Sequence, residues 1–239
     1  MKKHLVIIPV FNELATVKKM LVAYIKNTDL KQCATCIIDD GSELETMNYV
    51  QKIAKEYDLE FLRNNKNKGK PKSINMAMHY YNSADIFTII DSDIEIQTPR
   101  WNHVLEKAHR IFNNEAILGA KLHISGYEFQ KNRMTLGDLF PFWTLPGGFF
   151  SLPRFVFSKL GFFYDKIHRH EDAEYCRRAA TQNIRWYYTP NIKIRLLPHV
   201  SFANNPSYAH LRDKEVALYK KRSEFIMKTH SVYYNPFLS

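Results

Sequence analysis

Over about its first 115 residues the chain exchanges short apolar runs with helical periods at a regular interval, and few folds accept such a pattern. Residues 5–10 form an apolar run. Leu14, Val17, Leu21, Tyr24 and Ile25 come next at the spacing of one helix face, with Asn12 placed to cap that helix. Residues 36–39 form a second run, after which Ser42 and Glu45 have the capping-box spacing ahead of Met47, Val50, Ala54 and Tyr57. A strand over 59–62, a helix over 71–81 and a strand over 86–90 buried on both faces continue the series. Thr98 and Pro99 then start a helix bearing Trp101, Leu105, Ala108 and Phe112. Alternation at this interval predicts an α/β chain with a mainly parallel sheet and helices on both faces.

After residue 117 the pattern loosens. A strand over 117–124 leads into an irregular aromatic stretch over 140–157, then a helix over 171–181, a strand over 184–188 and a basic, partly helical tail. At 239 residues the chain is long enough to bury about 70% of its unfolded surface without disulfide or metal staples. The simplest organisation is one domain over 1–204, with a nucleotide-sized half at about 1–115 and a second half at about 116–204, and then a tail over 205–239.

The three cysteines are too few for a disulfide framework and fit a reducing compartment. Cys33-x-x-Cys36 has the spacing of redox and zinc sites, but there is no second pair and the motif enters a buried strand, so it reads as structural. The run at 5–10 ends at Asn12 and Glu13, and no window holds the roughly 20 apolar residues of a spanning helix. A cytoplasmic protein able to lie against the inner face of a membrane is expected. Thirty-four Lys and Arg against 24 Asp and Glu give a net charge of +10, which suits nucleic acid, an anionic membrane or a phosphorylated small molecule.

Ligands of open parallel sheets bind outside the carboxyl ends of the strands. Here those ends are acidic: Asp39 and Asp40 close the second strand, and Asp91 and Asp93 the fourth. Residues two apart on an extended segment project to one side, so Asp91 and Asp93 converge and repel unless a cation or proton lies between them. Mg²⁺ or Mn²⁺, with a diphosphate completing the shell, resolves that repulsion. Aspartates at strand ends also serve as turn formers, but acidic pairs on two strand ends of one sheet favour the ligand reading. Lys66, Lys68, Lys70 and Lys72 come after the third strand at the same rim, as a diphosphate counter-charge or a solvated loop.

Pro9 to Glu13, Asp39 to Ser42, Asn67, Gly69, Ser73 and Asn75, and then Asp91-Ser92-Asp93 together resemble family 2 glycosyltransferases of the Rossmann-like GT-A fold. Gly147 and Gly148, Arg154, residues 160–165, Glu171 with Asp172, and Arg178 are similar in order to that family's acceptor-side signature. The similarity runs from about 4 to 200.

It implies that Pro9, Phe11 and Glu13 line the nucleotide pocket, that Asp39 and Asp40 lie at the base with Asp40 the preferred contact, and that Lys68 or Lys70 approaches phosphate. Asp91 would touch ribose or metal, Asp93 would bind the metal, His199 is a further metal candidate, and Asp172 would be the catalytic base. Gly147, Gly148, Trp143 and Glu171 would face the acceptor or sugar. His168 and His170 are alternative sugar contacts. The implied activity is metal-dependent, inverting transfer from a UDP-linked donor, or a GDP- or dTDP-linked one, to a glycan or lipid-linked hydroxyl.

The chemistry asks for the same parts. A leaving diphosphate needs neutralising and an attacking hydroxyl needs a base, and Glu171 and Asp172 open a helix whose dipole favours ionised carboxylates. First-turn acids are also common for helix stability alone. A sugar-phosphate nucleotidyltransferase would want a glycine-rich phosphate loop, and residues 9–13 contain no glycine. A basic nucleic-acid or glycan binding module would leave the clustered aspartates unexplained. The tail, with Leu211, Leu218, Phe225 and Ile226 among lysines, suits either peripheral membrane contact or packing on its own domain.

Overall fold

The structure is a computed structural model that describes residues 3–123, 148–168, 170–198, 206–229 and 232–237. Strands β1 (His4–Val10), β2 (Cys33–Asp39), β3 (Glu60–Arg63) and β4 (Ile86–Ile90) alternate with helices α1 (Leu14–Asn27), α2 (Leu44–Glu56) and α3 (Lys70–Tyr80). The short strand β5 (Ile94–Ile96), helix α4 (Trp101–Ile111) and strand β6 (Ile117–His123) come next. Then come β7 (Phe149–Pro153), α5 (Arg154–Leu160), α6 (Glu171–Thr181), β8 (Trp186–Leu196) and α7 (Pro206–Thr229). One sheet has the order β3-β2-β1-β4-β7-β6-β8-β5. Its first four strands are parallel, as the alternation predicts, whereas β7 runs antiparallel to both β4 and β6, and β5 antiparallel to β8.

Alternation along β1 builds two cores. Val6, Ile8 and Val10 pack on one face with Val17, Leu21 and Tyr24 of α1, Val50 of α2 and Trp101 of α4. Leu5 and Ile7 pack on the other with Ile74 and Met78 of α3, Leu160 of α5 and Tyr175 of α6. Side chains of period 2 on a strand buried on both faces require this division. It also separates the cysteine pair, since Cys33 belongs to the first core and Cys36 to the second. All three cysteines are free and buried, so Cys33-x-x-Cys36 is a packing element.

Neither expected cap forms. Asn12 and Ser42 do not cap helices: the caps are Glu13 and Glu43, and neither makes a side-chain cap bond. Instead Asn12 N–H donates to Ser42 Oγ at 2.8 Å while Asn12 Oδ1 accepts from Glu43 N–H at 2.8 Å, clasping the ends of β1 and β2 together. The clasp holds Asn12 and Glu13 in left-handed backbone, φ 54° and 55°, a conformation that persists only where its surroundings fix it. The stretch over 140–157, read as irregular, contains β7 and the start of α5, which its aromatic and proline content concealed.

Candidate functional site

The strand order reverses between β1 and β4: the chain proceeds outward from β1 to β2 and β3, then returns to lay β4 on the other side of β1. The carboxyl ends of β1, β2 and β4 therefore open on the crevice where α/β sheets take ligands. Five segments meet there: residues 11–13, 39–42, 64–70, 91–93 and the start of α6.

At the β2 end, Asp40 is committed to the loop after β3. Its Oδ1 accepts from Asn64 Nδ2 at 2.7 Å and Lys68 N–H at 3.0 Å, and its Oδ2 from Gly69 N–H at 2.9 Å. The loop lies so close that a Cβ on Gly41 would come 2.5 Å from the backbone carbon of Lys66, and Gly41 has φ 80° besides. Gly69 meets the imidazole of His168 in the same way. Asp39 is fully buried, and its Oδ1 accepts from Ser42 N–H at 3.2 Å. Its Oδ2 lies 3.3 Å from Arg63 Nε, yet no hydrogen bond of good geometry reaches it.

At the β4 end, Asp91 N–H donates to the carbonyl of Gly148 at 3.0 Å, which brings that glycine against the Asp-x-Asp segment. Lys70, the first residue of α3, places Nζ 2.7 Å from Asp91 Oδ1, 2.8 Å from Asp91 Oδ2 and 2.8 Å from Glu171 Oε1. One ammonium thus bridges the end of β4 and the start of α6. Burial pushes Asp91 up to about 7, with the Asp93 and Glu171 charges adding to the rise and Lys70 opposing it. Asp172 rises to about 6, again chiefly from burial, then from Glu171. Burial acts to lower Lys70, but the charges of Asp91 and Glu171 more than offset it and hold the ammonium well above its ordinary value.

The structure thus brings Lys70, Asp91, Asp93, Glu171 and Asp172 into one electrostatic cluster. Asp39 and Asp40 lie one strand further out, across β1. Phe11 is 45% exposed at the crevice mouth, Glu13 is half-buried, and Pro9 is buried inside β1. Lys68 contributes its backbone to Asp40 while its side chain is exposed. Trp143, Gly147 and His199 lie outside the described residues.

Two contributors escaped the sequence reading. Asn64, buried directly after β3, bridges Asp40 and Ser73 Oγ, and Arg63 faces Asp39. The sequence reading places the segment after β3 at this rim but singles out its lysines; the same strand-end rule extended to Arg63 and Asn64 finds both.

Several residues of the resemblance turn out to hold the scaffold. Asn75 Nδ2 donates to the Phe163 carbonyl at 2.7 Å and its Oδ1 accepts from Phe163 N–H at 2.9 Å. Arg178 bonds Glu174 and the carbonyls of Leu160, Phe162 and Val232.

The profile of glycosyl transferase family 2 matches residues 5–169, which contain every segment of the crevice except the start of α6. The chain belongs to glycosyl transferase family 2. Solved structures agree on the GT-A fold. A mannosyltransferase, PcManGT from Pyrobaculum calidifontis in complex with GDP-Man and Mn²⁺, superposes with a TM-score of 0.69 at 16% identity, covering 92% of this chain and 64% of that one. GalNAc-T7 with UDP, GalNAc and Mn²⁺ gives 0.69 at 15% identity over 91% and 50%. S. aureus TarS 1–349 in complex with UDP-GlcNAc gives 0.65 at 17% identity over 91% and 66%. This family 2 chain therefore spans half to two thirds of the length of these structural relatives. No curated protein shows significant sequence similarity to it.

Proposed function

We propose that this family 2 chain transfers a sugar from a nucleoside-diphosphate donor to a hydroxyl of a glycan or lipid-linked acceptor, with inversion at the anomeric carbon. The observation that carries the reading is the carboxylate cluster at the switch point, in which one ammonium serves Asp91 and Glu171 beside Asp93 and Asp172. A basic binding module gives that cluster no task, and a nucleotidyltransferase would want a glycine-rich phosphate loop that residues 9–13 lack.

Asp39 is the base contact we favour over Asp40. Asp40 has its oxygens engaged by the 64–69 loop, while the buried Oδ2 of Asp39 has an acceptor position to offer to an N–H of a nucleobase. Phe11 and Glu13 would border the same pocket, with Lys68 at the phosphate rim.

A hard divalent ion fits the residues present. The Asp91 and Asp93 side chains offer oxygen donors, Asp91 Oδ1 is buried without a well-formed hydrogen bond, and the charges of Asp93 and Glu171 act on the same carboxylate. Among the described residues no group of three or more carboxylate, imidazole or thiolate side chains forms a ready cage, which suits an ion that takes part of its shell from the diphosphate. Mn²⁺ or Mg²⁺ held by Asp93 and Asp91 would neutralise the leaving diphosphate as a Lewis acid. His199 is a further candidate ligand. Asp172 accepts the proton of the acceptor hydroxyl as its oxygen bonds to the anomeric carbon and the bond from that carbon to the diphosphate breaks. A carboxylate with pKa near 6 is matched to that work close to neutral pH. Gly148, Glu171 and, by resemblance, Gly147 would border the acceptor, with Trp143 of the aromatic stretch as a stacking face for its sugar.

α7 supports contact with an anionic membrane carrying a lipid-linked acceptor. Around its exposed side it carries Lys214, Lys220, Lys221 and Lys228 together with Leu218, Phe225 and Met227, an arrangement suited to electrostatic contact with anionic lipid. No described helix is long and apolar enough to cross a membrane.

Release of UDP or GDP from nucleotide sugars with Mn²⁺ tests the activity. Wild type turns over with one donor class and Asp172→Asn loses about 10²–10⁴-fold in rate while still binding donor. Normal turnover by Asp172→Asn would remove Asp172 as base.

A further inference from the structure

We propose that Lys70 is a resident counter-cation: it ties Asp91 to Glu171 across the cleft while no divalent ion is bound, and gives up Asp91 when ion and donor diphosphate enter. The inference rests on the donor reading above and adds to it a defined exchange at one carboxylate.

The ammonium lies within 2.8 Å of oxygens on both Asp91 and Glu171, so it already occupies the electrostatic position next to Asp91 that an entering cation needs. The fit to Asp91 is imperfect, since Oδ1 sits 2.7 Å from Nζ yet gains no hydrogen bond of good geometry. Oδ2 of the same carboxylate takes the ammonium's hydrogen bond at 2.8 Å, which leaves the acceptor position of Oδ1 for an entering ion.

The position is also a costly one for a cation. Lys70 opens α3, and the first turn of that helix carries no acidic residue. A cation at a helix N-terminus opposes the macrodipole. Local helix chemistry therefore disfavours lysine here, and the carboxylates at the far end of its side chain supply the offset.

Connectivity points the same way. Lys70 directly follows Gly69, whose N–H is fixed by Asp40 and whose Cα lies against His168. His168 N–H in turn donates to Glu215 of α7 at 2.9 Å. The lysine backbone is thus anchored on two sides, while its side chain is the element able to swing. When Asp91 is released, the ammonium stays with Glu171, adjacent to Asp172. Loading of the donor side thereby changes the charge beside the acceptor-side carboxylates, which links the two halves of the site.

The test is binding of Mn²⁺ alone, monitored by the electron paramagnetic resonance of free Mn²⁺, with and without added UDP or GDP. Competition between ammonium and ion is reciprocal, so removing the ammonium must tighten the ion. Lys70→Met is expected to bind Mn²⁺ without nucleotide at least about fivefold tighter than wild type, the low end of such couplings. Lys70→Gln serves the same purpose should the Met variant fail to fold. Lys70→Arg restores the wild-type affinity. Lys68→Met and Lys72→Met, which remove the same charge from neighbouring positions, change it by less than about twofold. Unchanged or weaker Mn²⁺ binding in Lys70→Met and Lys70→Gln, alongside normal nucleotide-dependent Mn²⁺ binding by wild type, overturns the exchange and leaves the donor reading standing. Equal gains in the Lys68 and Lys72 variants overturn it as well, by showing a general field effect. Wild type that fails to bind Mn²⁺ even with nucleotide overturns both.

Discussion

For single residues, burial and neighbouring charge set the protonation of the site. Asp172 has its folded pKa raised to about 6, so its ionised form is disfavoured in the folded state. The sign has two consequences. As a base Asp172 must be ionised, so the transfer rate falls as pH drops through about 6, and a pH–rate profile checks this against a limb near 4. For stability the raised value is a penalty that sets in above the unfolded carboxylate pKa of about 3.9 and is complete above the folded one. Asp172→Asn should therefore melt at pH 7 no lower than wild type while losing turnover; a markedly lower melting temperature would assign Asp172 to the scaffold. Asp39, Asp40, Asp91 and Asp93 stand out in the sequence as strand-end acids against apolar runs, whereas Asp172, at the start of a helix, is singled out only by the family resemblance. Their partners were not legible there. That Asp40 spends its oxygens on Asn64, Lys68 and Gly69 while Lys70 bridges Asp91 and Glu171 depends on where a loop folds back, and spacing carries no record of that.

Among the elements, α6 is fixed by a buried charge network. Glu174 and Arg178 are fully buried, their carboxylate and guanidinium pair at 2.9–3.0 Å, and Arg222 of α7 adds a second cation at 3.0 Å from Glu174. Arg178 also satisfies three backbone carbonyls from the segments at 160–162 and 232. Removing one partner leaves a buried carboxylate under-compensated, which costs about 3–5 kcal/mol. At roughly 2–4 °C per kcal/mol for a chain of this size, Arg178→Ala is expected to lower the melting temperature by about 10 °C. A change under about 2 °C would mean that this network does not hold α6. The boundaries of β4 and α6 were readable to the residue, since an unbroken apolar run and a long helical period are strong local signals. β7 was not, because its place depends on pairing with β4 and β6, contacts far away in sequence, and α5 follows directly from its end.

Across the whole molecule, the +10 charge and the acidic crevice are complementary rather than contradictory. The carboxylates gather where a cation and a diphosphate would lie. Surplus lysines lie elsewhere: on α7, and along a cleft of about 550 Å³ lined by Lys18, Lys19, Lys26 and Arg195. If α7 meets anionic lipid, each lysine near the surface contributes about 1 kcal/mol. Lys220→Glu with Lys221→Glu should then weaken sedimentation with vesicles rich in phosphatidylserine by at least about tenfold, and neutral vesicles should bind neither form. Equal binding of both proteins to anionic vesicles would exclude this face. The parallel half of the sheet arises from local alternation and was legible in advance; the strand order that makes the switch point between β1 and β4, and the route by which α7 returns to α6, were not, because both depend on contacts far apart in sequence.

Whether Asp91 and Asp93 hold a cation for a nucleoside diphosphate is tested most directly by a thermal-shift panel of UDP, GDP and dTDP, with and without Mn²⁺, on wild type and Asp93→Ala. The expected result is a rise in melting temperature for one nucleotide that needs Mn²⁺ and vanishes in Asp93→Ala. A shift of equal size without the ion, or one that survives Asp93→Ala, would refute a metal held at that pair.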